Sequence, residues 1–395
     1  MTIFLTISLT LIAGIIGIPI ALLMIEVCAS LLKAAEAEGQ RGASPRAAVV
    51  VPAHNESGGI VPTLRDLRTQ MTDRDRLIVV ADNCSDDTAT VAYGEGAEVI
   101  ERHDPSRIGK GFALAYAVDF LRSDPPEIIM FVDADCRLSA GAVRKMSVAC
   151  SRIQKPLQCN YRMTAAPGPA GGSGLAQFAW TIKNWVRPLG LSRLGWPVQL
   201  MGTGMAFPWH VIERAPLANG DLVEDMKLGL DLAEQGYAPR FFPFVEIVSE
   251  FPVSEEGADR QRQRWIQGHL SLMTAVPRLI LRAVRQRNWD LLLLALDIAI
   301  PPLSLLVLLT LGVCVIDVLM VAVTGALAPF AIAATDFVLL SVTILIAWAG
   351  FGRNILPFRR IVLSGLGLLR QMKLFVDIFR GRGPRSWIRT ERRRS

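Results

Sequence analysis

The 395-residue chain predicts an α/β fold, a mainly parallel and doubly wound sheet, joined to transmembrane helices. Four short apolar runs, Ala47 to Val51, Leu77 to Val80, Glu98 to Ile100 and Ile128 to Val132, have strand length and end in polar or Gly-rich turns. Stretches of helical periodicity, such as Val61 to Met71 and Gly111 to Leu121, alternate with them, which is the pattern of a parallel sheet. Outside this region the chain is apolar. Thr2 to Ile25 holds no charge, and Leu291 to Gly350 is interrupted only by Asp297, Asp317 and Asp336.

Taken in order, residues 1–32 exceed the roughly 20 apolar residues that cross a bilayer core as a helix. Ala35-Glu36-Ala37 resembles a cleavage site, but the segment lacks a basic start and its apolar run is too long for a signal peptide. The α/β domain is expected over residues 45–275, with a first half to about residue 164 and a second half beyond a Gly/Pro/Ala-rich loop from Ala165 to Gly174. Phe178 to Leu200 mixes Trp180, Trp185 and Trp196 with Lys183, Arg187 and Arg193, a mixture that suits membrane headgroup level and equally suits core packing. Arg264 to Arg287 and Ile361 to Phe379 have the same character. Residues 276–290 are expected as an interfacial helix and linker, and 291–352 as two spans with a turn near Gly325. Residues 353–395 form a basic amphipathic tail in this reading.

Mean hydropathy is +0.36 and net charge +6. From Arg353 onward twelve Lys or Arg face two acids, so the tail carries +10 and the rest of the chain −4. A basic cluster beside a span is attraction to anionic lipid headgroups, or simply solvated charge, rather than a nucleic-acid surface. Lys33, Arg41 and Arg46 follow the first span, Arg282, Arg285 and Arg287 precede the second, and Arg353, Arg359 and Arg360 follow the third. The positive-inside rule places all three clusters, and the α/β domain, in the cytosol. Six cysteines with no Cys-x-x-Cys pair suggest neither zinc nor a disulfide framework.

The polar residues fall where the strands end. Strand one runs into Pro52-Ala53-His54-Asn55-Glu56, and strand two into Asp82-Asn83, where a carboxylate can accept the N–H of a base or make an Asx turn. Phe131-Val132-Asp133-Ala134-Asp135 ends an apolar run with two carboxylates spaced by two, and in extended chain they share a face. Such a pair suits Mg2+ or Mn2+ bridged to phosphate oxygens, and without a cation it would repel itself. Arg107-Ile108-Gly109-Lys110-Gly111 opens a helical stretch in which the glycines allow close approach and the lysine can meet a phosphate, without the Walker spacing.

These segments resemble those of family 2 glycosyltransferases with the GT-A fold. Gly202-Thr203-Gly204 is similar to that family's acceptor loop, Val223-Glu224-Asp225 to its Glu-Asp pair, and Gln261-Arg262-Gln263-Arg264-Trp265 to the Gln-x-x-Arg-Trp motif of membrane-integrated members such as cellulose, hyaluronan and poly-N-acetylglucosamine synthases. The resemblance implies a bacterial inner-membrane enzyme with a nucleotide-sugar donor, a uridine diphosphate sugar most often, and a saccharide or lipid-linked acceptor. It implies that Pro52, Asn55, Glu56 and Asp82 line the nucleotide pocket and that Lys110, Gln261, Arg264 and Trp265 serve the diphosphate. Asp133 would contact the donor and share the metal with Asp135, and Gly202, Thr203, Gly204 and Trp265 would serve the acceptor. Asp225 would be the general base, supported by Glu224. Asn83 and Val223 depart from the residues common at those positions, and neither change removes a proposed catalytic group. Three spans are few for a polymer channel, so processive synthesis would need an oligomer or an export partner. Transfer of one sugar to a polyprenyl phosphate or another glycolipid is the alternative, and a non-catalytic nucleotide sensor the third.

Overall fold

A computed structural model describes residues 2–33, 44–164, 174–252, 254–357 and, beyond them, 359, 372, 374–378 and 380. The loop over 165–173 and most of the basic tail lie outside the described residues. The chain opens with α1 (Thr2–Ala29), then runs β1 (Ala47–Ala53), α2 (Val61–Gln70), β2 (Arg76–Asp82), α3 (Thr88–Gly94), β3 (Glu98–Arg102), α4 (Lys110–Leu121) and β4 (Ile128–Phe131). These are the alternating elements that the sequence predicts. Next come β5 (Arg137–Leu138), α5 (Ala142–Ile153), β6 (Leu157–Thr164), α6 (Gly174–Thr181), a π-helical turn (Ile182–Val186), α7 (Arg187–Arg193), β7 (Met205–Pro208), α8 (Trp209–Ile212), α9 (Glu224–Glu234) and β8 (Arg240–Glu250). Helices α10 (Glu255–Met273), α11 (Val276–Gln286), α12 (Trp289–Ile298), α13 (Leu303–Thr324) and α14 (Ala328–Ala347) follow.

The eight strands form one sheet in the order β3-β2-β1-β4-β7-β6-β8-β5. Strands β3, β2, β1 and β4 are parallel, whereas β7 lies antiparallel to both β4 and β6. Burial on both faces explains the continuous apolar runs: Val49, Val51, Val79 and Met130 point to one core, and Val50, Ile78, Val80 and Phe131 to the other. Leu64, Leu67 and Met146 of α2 and α5 cover the first face, and Leu114, Ala117 and Leu228 of α4 and α9 the second. The parallel strands all point their carboxyl ends at one rim, where the polar turns collect.

Among the described residues three helices are long and apolar enough to cross a membrane: Thr2–Ala29, Leu303–Thr324 and Ala328–Gly352, with 28, 22 and 25 residues. Large apolar side chains such as Ile7, Leu11, Ile15, Val315 and Leu319 stay exposed along them, as a lipid-facing surface requires. Gly325, in the left-handed region at φ 71°, ends α13 where the turn is expected.

One expectation is corrected, and one pair of open readings is decided. The apolar run from Leu291 does not begin a span, because Pro301-Pro302 breaks it; α12 is a short helix whose Leu291, Leu294 and Ile298 pack on Met226, Leu230 and Leu279 of α9 and α11. The mixture from Phe178 to Leu200 is core packing rather than a headgroup belt. Phe178, Ile182 and Val186 are buried against Ile20, Leu23 and Val27 of α1, and Arg187 is buried in an ion cluster.

Candidate active site

At the carboxyl rim the structure encloses a cavity of about 490 Å³. Most of the residues singled out from the sequence line it: Pro52, Glu56, Asp82, Lys110, Asp133, Asp135, Gly202, Glu224, Asp225, Gln261, Arg264 and Trp265. They come from the ends of β1, β2 and β4, the starts of α4 and α9, the segment before β7, and the middle of α10.

Asn55, Thr203 and Gly204 do not line the cavity, and each has a structural task instead. Asn55 sits at φ 56° and accepts the Ser85 N–H at 2.7 Å, tying together the turns after β1 and β2. Thr203 is wholly buried and its Oγ1 accepts the Asp133 N–H at 3.0 Å, which fixes the turn that carries Asp133. Gly204 packs so closely that a Cβ would lie 2.2 Å from Cys159 Sγ. The glycines around Lys110 allow close approach, but to protein: a Cβ on Gly111 would lie 2.4 Å from the Leu217 carbonyl oxygen. That contact seats the first turn of α4 against the chain leading into α9.

At one end of the cavity Asp82, almost buried at the tip of β2, accepts from Arg102 at 2.6 Å and from Asn83 at 3.1 Å. Burial raises its carboxyl above the ordinary value, and Arg102 restrains that rise. The middle is a charge cluster. Lys110 pairs with Asp133 and donates to the Gly202 carbonyl at 2.9 Å. Burial works against its ammonium, but Asp133, Glu224 and Asp225 outweigh it and hold the pKa above its usual value. The positive charge expected beside the two strand-end carboxylates is therefore supplied in part by Lys110.

Glu224 and Asp225 form the first turn of α9, where the helix dipole favours negative charge. Asp225 Oδ1 accepts the Met226 N–H at 2.8 Å, which orients the carboxylate. Burial raises both carboxyls, and with the Asp225 charge beside it Glu224 reaches about 7. Across from them Arg264 is partly stripped of water, which lowers its pKa, and its Nε has no hydrogen-bond partner among the described residues. Gln261 Oε1 is likewise buried without a partner. Arg264 Nε wants an anionic acceptor and Gln261 Oε1 a hydroxyl or N–H donor, a pair of demands that a polar guest carrying both kinds of group would meet.

Among the described residues no group of three or more His, Cys, Asp or Glu side chains is arranged to hold a metal alone. Asp133 and Asp135 do place two hard oxygen donors on one cavity wall. That donor set fits Mg2+ or Mn2+, which fill their remaining positions with phosphate oxygens and water.

The sequence reading did not assign several lining residues to the site: Tyr161, Trp180, Lys183, Asn184, Gln199 and His269. Trp180 packs against Trp265 with ring centroids 4.7 Å apart and meets Tyr161 edge-on at 5.3 Å. Its indole donates to the Tyr161 carbonyl at 3.2 Å. His269 donates from Nε2 to the Ile298 carbonyl at 3.0 Å, and burial depresses its pKa to about 3, so the ring is neutral. The Trp and Lys signals were visible as the aromatic and basic mixture after Phe178.

Comparison with known proteins gives the same picture. A family model described as glycosyl transferase family group 2 matches residues 128–350, and one described as glycosyl transferase family 2 matches residues 48–148. The chain is 28% identical over 243 residues to a probable glycosyltransferase, YdaM, of Bacillus subtilis, covering 57% of this chain and 55% of that protein. It is 37% identical over 95 residues to the low-salt glycan biosynthesis hexosyltransferase Agl6 of Haloferax volcanii, covering 24% of this chain and 22% of that one. The match thus spans about half of the first relative's length and less of the second's. Among solved structures, the mannosyltransferase PcManGT of Pyrobaculum calidifontis, in complex with GDP-Man and Mn2+, superposes with a TM-score of 0.58 at 20% identity, over 88% of this chain and 98% of that one. The fold is the GT-A glycosyltransferase fold. With a family model matched over more than half its length, the chain belongs to glycosyl transferase family group 2.

Proposed function

We propose that this protein is an inverting, metal-dependent glycosyltransferase that moves a sugar from a nucleotide-sugar to a saccharide or lipid-linked acceptor at the cytosolic membrane face, in cell-surface polysaccharide synthesis. The observation that carries it is one cavity holding Asp82, the cations of Lys110 and Arg264, and the carboxylates of Asp133, Asp135, Glu224 and Asp225. Asp82 accepts an N–H from the base, a donor that uracil and guanine both present; a uridine diphosphate sugar is the first donor to test. Lys110 and Arg264 stabilise the charge that develops on the leaving diphosphate. A divalent cation held by Asp135 and Asp133 supplies Lewis-acid stabilisation of that same charge when bound. Asp225 takes the proton from the acceptor hydroxyl as the new bond forms, since a neutral hydroxyl is a poor nucleophile. One in-line displacement inverts the anomeric centre. The stack of Trp265, Trp180 and Tyr161 gives the acceptor sugar an aromatic wall. The clusters of Lys and Arg that flank the three spans support the cytosolic orientation.

A screen of nucleotide-sugars with detergent-purified protein tests this reading. Release of nucleoside diphosphate that requires Mg2+ or Mn2+ is expected with at least one donor; no release from any donor in the presence of either ion would overturn it. Transfer of a single sugar to a polyprenyl phosphate is the second reading, favoured by Arg187, which lines the cavity and pairs with Glu26 of α1. A nucleotide sensor without catalysis would not need Asp135 and Asp225 together in the cavity.

Glu224 has a separate expected signature. Between the ordinary carboxyl value of 4.5 and about 7 the folded protein holds a proton that the unfolded chain has lost. Stability should therefore fall as pH rises through that window, and Glu224→Gln, which mimics the protonated form, should remove this part of the slope. Turnover of Glu224→Gln should stay within about threefold of wild type below pH 7, because no proton acceptor is lost there. Thermal unfolding and kcat measured against pH check both halves.

A further inference from the structure

The cavity holds two polar donors that the nucleotide-sugar reaction described above does not use. Lys183 and Asn184 lie on the π-helical turn Ile182–Val186, and such turns are frequent at functional sites. Ile182 and Val186 on this turn pack among α1 side chains, whereas Lys183 and Asn184 line the cavity. Asn184 is 3% exposed and its Nδ2 has no hydrogen-bond partner among the described residues. The half-buried Lys183 makes no hydrogen bond or ion pair among them either, and burial lowers its pKa against the pull of Asp225. A buried amide donor left unpaired, next to a half-buried ammonium without a partner, both facing a cavity, marks a place for an anion.

The neighbours say which end of the reaction this place serves. Asp225 lies in the fields of both Lys110 and Lys183. Lys110 belongs to the donor side through Asp133, whereas the charges around Lys183 are Asp225, Arg187 and Asp297. Lys183 precedes Arg187 by one helical turn, and both line the side of the cavity that Asp297 also lines. That side abuts the end of the first span: Arg187 reaches Glu26 of α1 at 2.6 Å, and a Cβ on Gly190 of α7 would lie 1.9 Å from the Glu26 carbonyl oxygen.

We propose that Lys183 and Asn184 form an acceptor-side anion subsite that holds a phosphate of the acceptor, delivered on a membrane lipid along α1. The proposal rests on the glycosyltransferase reading and narrows its acceptor to a phosphate-bearing one. A single ammonium with an adjacent amide donor fits a phosphate monoester or diester, which offers several acceptor oxygens and negative charge.

Binding to the full chain in detergent tests it, with four probes: a polyprenyl monophosphate, the uncharged polyprenol of equal length, inorganic phosphate, and a nucleoside diphosphate. The lipid phosphate is expected to bind at least about tenfold more tightly than the polyprenol, the scale of one charge-assisted hydrogen bond. Lys183→Met should erase that preference and Lys183→Arg should keep most of it, with nucleoside diphosphate affinity unchanged in both. Equal binding of the two lipids by wild type, a comparison that needs no variant, overturns the proposal. So does an undiminished preference in Lys183→Met. Inorganic phosphate that binds as tightly as the lipid phosphate, with the same dependence on Lys183, supports the anion subsite and overturns its lipid source. Failure of wild type to bind nucleoside diphosphate would instead strike the glycosyltransferase reading, independently of the lipid arms.

Discussion

Asp225→Asn should lower turnover by about 10²–10⁴-fold, the usual range for losing a positioned general base, while nucleoside diphosphate affinity changes little. The substitution keeps volume and keeps an oxygen for the Met226 N–H, which Asp225 Oδ1 accepts at 2.8 Å, so the first turn of α9 has no reason to rearrange. What it removes is an acceptor for a proton. Asp225 is suited to that task because burial raises its carboxyl, while the Met226 N–H, Lys110 and Lys183 restrain the rise, which makes it a stronger base than a solvated aspartate. Glu224 beside it is half-protonated near pH 7 and is the weaker candidate at physiological pH. Single-turnover transfer and nucleotide binding, measured on the same preparation, separate chemistry from affinity. A variant that kept more than about a tenth of wild-type turnover would move the proton to another group.

The first half of the domain was legible because its physics is local. Val49 to Val51, Ile78 to Val80 and Ile128 to Phe131 are buried on both faces, so the apolar runs mark strands directly, and Asp82 and Asp133 fall at or just past their ends. Asp133 and Asp135 both line the cavity, but from the turn after β4 rather than from extended chain, so their strand spacing is not what brings them there. Beyond residue 153 the topology depends on pairings that no local pattern encodes, such as β6 lying between β7 and β8. Tyr161 and Gln199 reach the cavity only through those pairings. The Gly202-Thr203-Gly204 motif shows the same limit at finer scale: its residues share a loop, yet Gly202 alone lines the cavity, while Thr203 and Gly204 hold the loop in place. Helix α12 was obscured for a different reason. A short helix buried by protein and the start of a span are equally apolar, and only Pro301-Pro302 distinguishes them.

Arg187→Met should cost about 3–5 kcal/mol of stability, because it strands two buried carboxylates rather than removing one contact. Arg187 donates from Nε to Glu26 at 2.6 Å and pairs through Nη2 with Asp297, whose carbonyl it also meets at 3.0 Å. Burial works against the guanidinium charge, and the two facing carboxylates more than offset it, so its pKa stands above the ordinary value. All three residues are over nine-tenths buried, and they join three elements: the first span, α7 and α12. Methionine fills much of the volume but leaves Glu26 and Asp297 without a counter-charge, Asp297 keeping only the Gln199 amide, so that both must stay buried as uncompensated charges or take up protons. The loss should be recoverable, since Glu26→Gln with Asp297→Asn in the Arg187→Met background removes both stranded charges. Unfolding in detergent compares the three proteins. If Arg187→Met alone were as stable as wild type, or if the neutralised triple variant were no more stable than Arg187→Met, the cluster would not be what fastens the first span to the catalytic domain. If the expected order holds, Glu26 is the point at which a membrane helix is coupled, through Arg187 and Asp297, to the wall of the cavity.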